Sequence, residues 1–303
     1  MNTVELAPGA PAHLGAFEER FVTSIDGLKL YVRDYPALQP ETGAPVIMLH
    51  GLTRNSRDFE IVAPRIASLG RRVLVPDMRG RGKSDYDPDP AHYVPAVYAQ
   101  DVDKIMQALG LSRAVFVGTS MGGIITMVLA ALHGEAVAAA ALNDVGPELN
   151  PAGLQRIVGY VGHAQPASNW AHAAEAIRSL NGASYPGHID DARFWLAFAH
   201  RTYDLRQDGL MHASYDPNIA LVFTDPESSP AVDMTPLFEA LKQTPVLSIR
   251  GALSDILSPA GVSRMRQLKP NLITVEVPGV GHAPMLDEDE AWLALVDFLA
   301  VSP

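Results

Sequence analysis

Ser120 stands at the centre of Gly118-Thr119-Ser120-Met121-Gly122, a G-x-S-x-G pattern whose surroundings carry more information than its letters. The apolar run Val115-Phe116-Val117 precedes it as a buried strand, and Gly123-Ile124-Ile125-Thr126-Met127-Val128 follows as a helix. A serine between a strand and a helix must occupy a tight, strained turn, and the flanking glycines let the backbone double back without side-chain collision. That turn puts the hydroxyl at the carboxyl edge of a sheet and at a helix amino terminus, where the dipole favours developing negative charge. The Met121 amide then points at a substrate oxyanion. A serine hydroxyl is a poor nucleophile near neutral pH and needs an imidazole to accept its proton and return it to the leaving group. Of the ten histidines, only His282 lies in a glycine-bounded loop, Gly279-Val280-Gly281-His282-Ala283, between the last strand and the last helix.

The elements that must position these residues follow from the apolar pattern. Strands over Phe21–Ile25 and Leu28–Tyr35 flank Asp26-Gly27, a hairpin turn signal. Short continuous apolar runs then alternate with helical spacings: strand Pro45–His50, helix Arg57–Leu69, strand Arg72–Val75, helix Val97–Leu109, strand Ala114–Val117, helix Met121–His133 and strand Val137–Asn143. Strands that are apolar on both faces predict a mostly parallel sheet covered by helices on each side, an α/β fold. From residue 147 to 235 the alternation stops, and the stretch reads as helical and irregular, broken at Asn150-Pro151, Gln165-Pro166, Tyr185-Pro186-Gly187, Asp216-Pro217 and Asp225-Pro226. It then resumes with helix Pro236–Lys242, strand Pro245–Arg250, helix Pro259–Leu268, strand Leu272–Val277 and helix Glu288–Leu299. The expected organisation is a core of residues 1–146 and 236–303, with residues 147–235 inserted as a helical cap.

With the elbow and its order of elements in place, the chain resembles the α/β-hydrolase family over most of its length. His50-Gly51 at the end of a strand looks like the family's oxyanion-loop motif, a resemblance that implies the Leu52 amide as the second oxyanion donor beside Met121. The order Ser…Asp…His is also the family's, and His282 sits where the family keeps its base. Asp255, in Arg250-Gly251-Ala252-Leu253-Ser254-Asp255 after a strand, resembles the family's usual acid position and is the expected partner of the imidazole. Asp144, directly after the strand ending at Asn143, is where some members place theirs and is the alternative acid. Asp77-Met78-Arg79-Gly80-Arg81-Gly82-Lys83-Ser84-Asp85 looks like the family's D-x-R-G-x-G-x-S segment, whose Asp and Arg are read as tying down a loop. His50 is read as structural support for the oxyanion loop.

Composition bounds the remaining possibilities. Hydrophobic residues are 48% of the chain and charged residues 19%, which suits a buried core rather than disorder. A formal charge of −11 with no basic run disfavours nucleic acid and anionic membranes as partners. The absence of cysteine removes disulfides, thiolate metal sites and cysteine catalysis, and together with an amino terminus lacking a signal-peptide pattern suggests the cytoplasm. Residues 114–132 carry no charge, yet Gly118, Gly122 and Gly123 in their middle favour strand, turn and buried helix over a membrane span. The cap histidines His163, His172, His188, His200 and His212 form no metal-ligand spacing, so no metal and no organic cofactor is expected. Nine of the 21 aromatic residues fall in the cap, which calls either for a small core there or for an apolar pocket wall.

These features set the expectation of a serine hydrolase acting on a carboxylic ester or lactone of a small to medium, apolar or aromatic compound. Hydrolysis of a carbon–carbon bond in a ring-cleavage dienol is the first alternative. A non-catalytic small-molecule receptor of the same fold is the second. An aspartate nucleophile, as in dehalogenase and epoxide-hydrolase relatives, is disfavoured by the serine at the elbow.

Overall fold

The Asp26-Gly27 turn does form a hairpin: in the computed structural model β1 (Glu18–Thr23) and β2 (Lys29–Tyr35) pair antiparallel, and Gly27 takes φ 92° to close the turn. The structure describes residues 15–223 and 233–303; the amino terminus before residue 15 and the Asp225-Pro226 break lie outside them. After the hairpin come β3 (Val46–Leu49), α1 (Val62–Ala67), β4 (Val73–Pro76), α2 (Pro95–Ala108), β5 (Ala114–Thr119), α3 (Met121–Leu132) and β6 (Val137–Asn143). Residues 147–235, expected from the sequence to form a cap, hold α4 (Pro151–Tyr160), α5 (Trp170–Asn181), α6 (Ala192–Thr202), β7 (Tyr203–Leu205) and β8 (Met211–Ala213) among the described residues. The chain returns through α7 (Thr235–Glu239), β9 (Val246–Gly251), α8 (Pro259–Leu268), β10 (Ile273–Val277) and α9 (Asp289–Val301).

Eight strands make one sheet in the order β1-β2-β4-β3-β5-β6-β9-β10, antiparallel at β1/β2 and β2/β4 and parallel from there on. Alternate residues along the central strands feed opposite faces. Ile47, Leu49, Ala114 and Phe116 join a core with α2 and α3 residues such as Tyr98, Val102, Ile125 and Leu129. Val46, Met48, Val115 and Val117 join a second core with Val62 and Ile66 of α1 and Leu295 and Phe298 of α9. Both faces are therefore sealed by helices, which is why the strands read as unbroken apolar runs. The strand order reverses between β3 and β5. In an open α/β sheet the crevice outside the carboxyl ends at such a point is where ligands bind.

Two local readings needed revision, and the reading of residues 114–132 as strand, turn and buried helix did not. The helix expected over Arg57–Leu69 is split into a 3₁₀ turn, Ser56–Phe59, and α1, because Pro64 has no N–H to give the Glu60 carbonyl. The cap is not wholly helical: β7 and β8 form an antiparallel hairpin around Asp208-Gly209, with Gly209 at φ 80°. The uncharged run 114–132 is β5, a turn and α3, and among the described residues no helix is long and apolar enough to cross a membrane. The cap aromatics divide. Trp195 and Phe198 are buried in a small cluster with Ile177 and Met211, Tyr160 and Tyr215 line the cavity above Ser120, and Tyr185 and Tyr203 belong to both.

Candidate active site

The elbow at Ser120 is built by close approach. Ser120 takes φ 52° and ψ −114°, a backbone state that costs a non-glycine residue on the order of 1–3 kcal/mol. Its amide donates to the Asn143 carbonyl of β6 at 2.9 Å, and its carbonyl accepts from Gly123 at 2.9 Å. Gly118 and Gly122 leave no alternative residue: a Cβ on Gly118 would lie 2.5 Å from the Gly122 carbonyl, and one on Gly122 would lie 2.1 Å from the Leu49 oxygen. The strained turn thus rests on β3, β5 and β6 together, which lift the hydroxyl to the sheet's carboxyl edge.

His282 reaches across from the loop after β10. Its Nε2 lies 2.9 Å from the Ser120 Oγ, and its Nδ1 lies 2.7 Å from the Asp144 Oδ2. The loop is held from three sides: Gly281 donates to the Ser184 carbonyl at 2.7 Å, Tyr185 donates its hydroxyl proton to the Ala283 carbonyl at 2.6 Å, and Asn143 donates to the Pro284 carbonyl at 2.8 Å. Two of those anchors come from the cap and one from β6.

The carboxylate that pairs with His282 is Asp144, not the expected Asp255. Asp144 follows β6 directly at φ 57°, is fully buried, and accepts from the Gly251 amide at 3.1 Å and the Ser254 hydroxyl at 2.5 Å besides His282. Asp255 turns away from the imidazole to a bidentate pair with Arg156 of α4, at 2.6 and 2.9 Å. Partial burial raises the Asp255 carboxyl, but the Arg156 hydrogen bonds and the nearby positive charge together hold the group below its ordinary value. The loop after β9 supplies Ser254, whose hydroxyl donates to Asp144, rather than the carboxylate that pairs with His282. Arg156 lies 99 residues away in the chain, so nothing local in the sequence announces that Asp255 is already committed.

The loop after β3 faces the elbow. Neither the Leu52 nor the Met121 amide has a protein acceptor among the described residues, and both Leu52 and Ser120 line the same cavity. His50 is fully buried, its Nδ1 donating to the Gly51 carbonyl at 2.8 Å and its Nε2 accepting from the Met78 amide at 3.1 Å. Burial pushes its pKa down to about 3, so it stays neutral and braces the loop. The Asp77–Asp85 segment does tie loops down: the Asp77 carboxylate accepts from the Ser56 and Lys83 amides, and Arg79 is paired with Asp26, Asp87 and Asp101. Asp26, Asp87 and His92 converge closely enough to ligate a cation, but the Arg79 guanidinium already donates to both carboxylates. One residue that sequence reading passed over matters here. Arg81, buried, donates from Nε to the Leu52 carbonyl at 3.0 Å and from Nη1 to the Tyr98 hydroxyl at 2.8 Å, while Nη2 lies 3.6 Å from the Met121 sulfur. Its place in the glycine-rich segment was visible; its contacts with the Leu52 carbonyl and the Met121 side chain were not.

A half-buried, strained serine, an imidazole within hydrogen-bond reach and a buried carboxylate behind it have the geometry a proton relay needs, and the Leu52 and Met121 amides nearby have no protein acceptor among the described residues. Comparison with known proteins agrees with the class this defines. Residues 44–289 match the family model described as alpha/beta hydrolase fold, and the chain belongs to that family of hydrolases. It is 35% identical over 252 residues to a 3-hydroxybutyrate-oligomer hydrolase of Cupriavidus necator, covering 81% of this chain and 84% of that one. It is 27% identical to a 2-(acetamidomethylene)succinate hydrolase of Mesorhizobium japonicum, covering 80% and 82%. An alpha/beta hydrolase structure from Novosphingobium aromaticivorans superposes with a TM-score of 0.86 at 44% identity, covering 93% of this chain and 98% of that one.

Proposed function

We propose that this hydrolase cleaves carboxylic esters of small to medium compounds through an acyl-enzyme on Ser120. The observation that carries the reading is the relay itself, Ser120 Oγ to His282 Nε2 at 2.9 Å and His282 Nδ1 to Asp144 at 2.7 Å. Ser120 Oγ attacks the ester carbonyl carbon while His282 Nε2 takes its proton. The carbonyl oxygen becomes an oxyanion that the Leu52 and Met121 amides hold, and buried Asp144 stabilises the imidazolium. The intermediate collapses with loss of the alcohol, which takes the proton from His282. Water, deprotonated by the same histidine, then attacks the acyl-enzyme and releases the acid and Ser120.

Ester chemistry is favoured by the 3-hydroxybutyrate-oligomer hydrolase, whose name describes units joined through a hydroxyl and a carboxyl. The cavity suits a bounded substrate: Ile157, Ile177 and Leu180 give it apolar walls and the cap tyrosines close over it. Carbon–carbon hydrolysis of a dienol is the second reading, favoured by one observation, the Arg54 cation in the cavity, which could face a dienolate. The test is kcat/KM for acetyl, butyryl and palmitoyl esters beside one ring-cleavage dienol. Short esters should lead, with palmitoyl far behind because the cap cannot enclose it. A dienol preferred by tenfold, about 1.4 kcal/mol in the transition state, overturns the ester reading.

A further inference from the structure

Arg54 is the cation of the reaction cavity, and its hydrogen bonding leaves one edge of it uncommitted. It follows the oxyanion loop by two residues, and it shares the cavity with Ser120 and His282. Gly51 separates it from the nucleophile: a Cβ on that glycine would lie 3.6 Å from the Arg54 Cγ and 3.9 Å from the Ser120 Cβ. The guanidinium is fixed rather than free. Its Nε and Nη2 donate to one oxygen of Asp58 at 2.8 and 2.5 Å, and its plane lies over the Phe198 ring with the carbon 4.0 Å from the centroid.

A guanidinium can bind a carboxylate bidentately along either of two edges, side-on through Nε and Nη2 or end-on through Nη1 and Nη2. Asp58 takes the side-on edge. The end-on edge has no protein acceptor among the described residues, so Nη1 and the second Nη2 proton are open to solvent or to a ligand in the cavity. The charge also reaches the cavity walls, where it opposes the rise that burial imposes on the Tyr160 and Tyr185 hydroxyls. Asp58 offsets part of that charge, but it leaves the donors, and donors fixed in advance cost little entropy to use.

We infer that the end-on edge of Arg54 binds a free carboxylate on the substrate, so that the preferred esters are short ones whose acyl or alcohol part ends in a carboxylate. The inference rests on the serine-ester reading and narrows it. The carboxylate is anchored beside the oxyanion loop, which sets how many bonds separate it from the scissile carbonyl and excludes long neutral chains from the productive pose.

The test compares the linear dimer of 3-hydroxybutyrate, which ends in a carboxylate, with the same dimer ending in a carboxamide. The scissile ester is identical in both. Wild type should prefer the carboxylate by about tenfold or more in kcat/KM, the advantage of a charge-assisted bidentate contact. Arg54→Met should bring that ratio to within about threefold of one, and Arg54→Lys, which keeps the charge without the fork, should fall between. Because the ratio is taken within each variant, partial misfolding cancels. A wild-type ratio near one, or a ratio that Arg54→Met leaves unchanged, overturns the inference. Failure to cleave either dimer overturns it as well. Phosphonate labelling of Ser120 then shows separately whether the serine reading stands.

Discussion

Replacing Asp144 by asparagine should cost far more activity than the same change at Asp255, and the geometry gives the reason. Asp144 uses Oδ1 on the Gly251 amide and Oδ2 on both the Ser254 hydroxyl and His282 Nδ1. An asparagine that keeps its oxygen on Gly251 must turn its NH₂ to the imidazole. Nδ1 then becomes an acceptor, the proton moves to Nε2, and the ring can no longer take the proton of Ser120. An asparagine flipped the other way sets NH₂ against the Gly251 N–H, leaving a buried donor unpaired at about 1–3 kcal/mol. The backbone itself is a small obstacle, since Asp144 sits at φ 57° and asparagine tolerates that region well. The expected fall in kcat is about 10⁴-fold, roughly 5 kcal/mol of barrier. Asp255→Asn breaks an ion pair with Arg156 whose side chains are 35% and 39% exposed, so it should cost no more than about 1 kcal/mol of stability and leave kcat within about threefold. The assay is kcat on a p-nitrophenyl butyrate, with thermal melting of each variant to separate folding from chemistry. A loss beyond about 100-fold in Asp255→Asn, with Asp144→Asn nearly active, would refute the assignment.

Two further outcomes follow from the loops around the elbow. His50 has a folded pKa depressed to about 3 against an ordinary 6.5, so the folded state holds fewer protons than the unfolded one. Its contribution is complete above pH 6.5 and is lost as pH falls towards 3, amounting to about 2 kcal/mol by pH 5. Denaturant melts of wild type and His50→Asn at pH 7.5 and pH 5 should show the larger acid loss in wild type; equal losses would contradict the buried neutral histidine. Arg81→Met should lower kcat by about tenfold or more with little change in KM, because it unties the Leu52 carbonyl and with it the orientation of the oxyanion loop. A change confined to KM or to stability would assign Arg81 to packing alone.

The legible and illegible parts of this molecule differ in the range of the interactions that decide them. Gly118 to Gly122 could be read because strand, turn and helix are consecutive in the chain, and each glycine answers to a contact made within that turn or with β3. The hairpin at Asp26-Gly27 was readable for the same reason. The cap hairpin carried the same signal at Asp208-Gly209, but its strands have three residues each, too short for an alternating pattern to register. The carboxylate that pairs with His282 could not be chosen locally: Asp144 and Asp255 both follow a strand, on neighbouring strands of the sheet. What separates them is a partner in the cap, Arg156, and a hydroxyl one position before Asp255. Arg81 escaped notice because its partners, Leu52, Tyr98 and Met121, come from three different elements.

The central claim is that Ser120 forms an acyl-enzyme during turnover, and the direct measurement is intact-protein and peptide mass spectrometry after rapid acid quench with a butyryl ester. Wild type should gain the mass of one butyryl group on the peptide containing Ser120, and Asp144→Asn should gain it far more slowly. Ser120→Ala should gain none while retaining the wild-type fold. A butyryl group on another residue, or normal turnover by Ser120→Ala, would contradict the account.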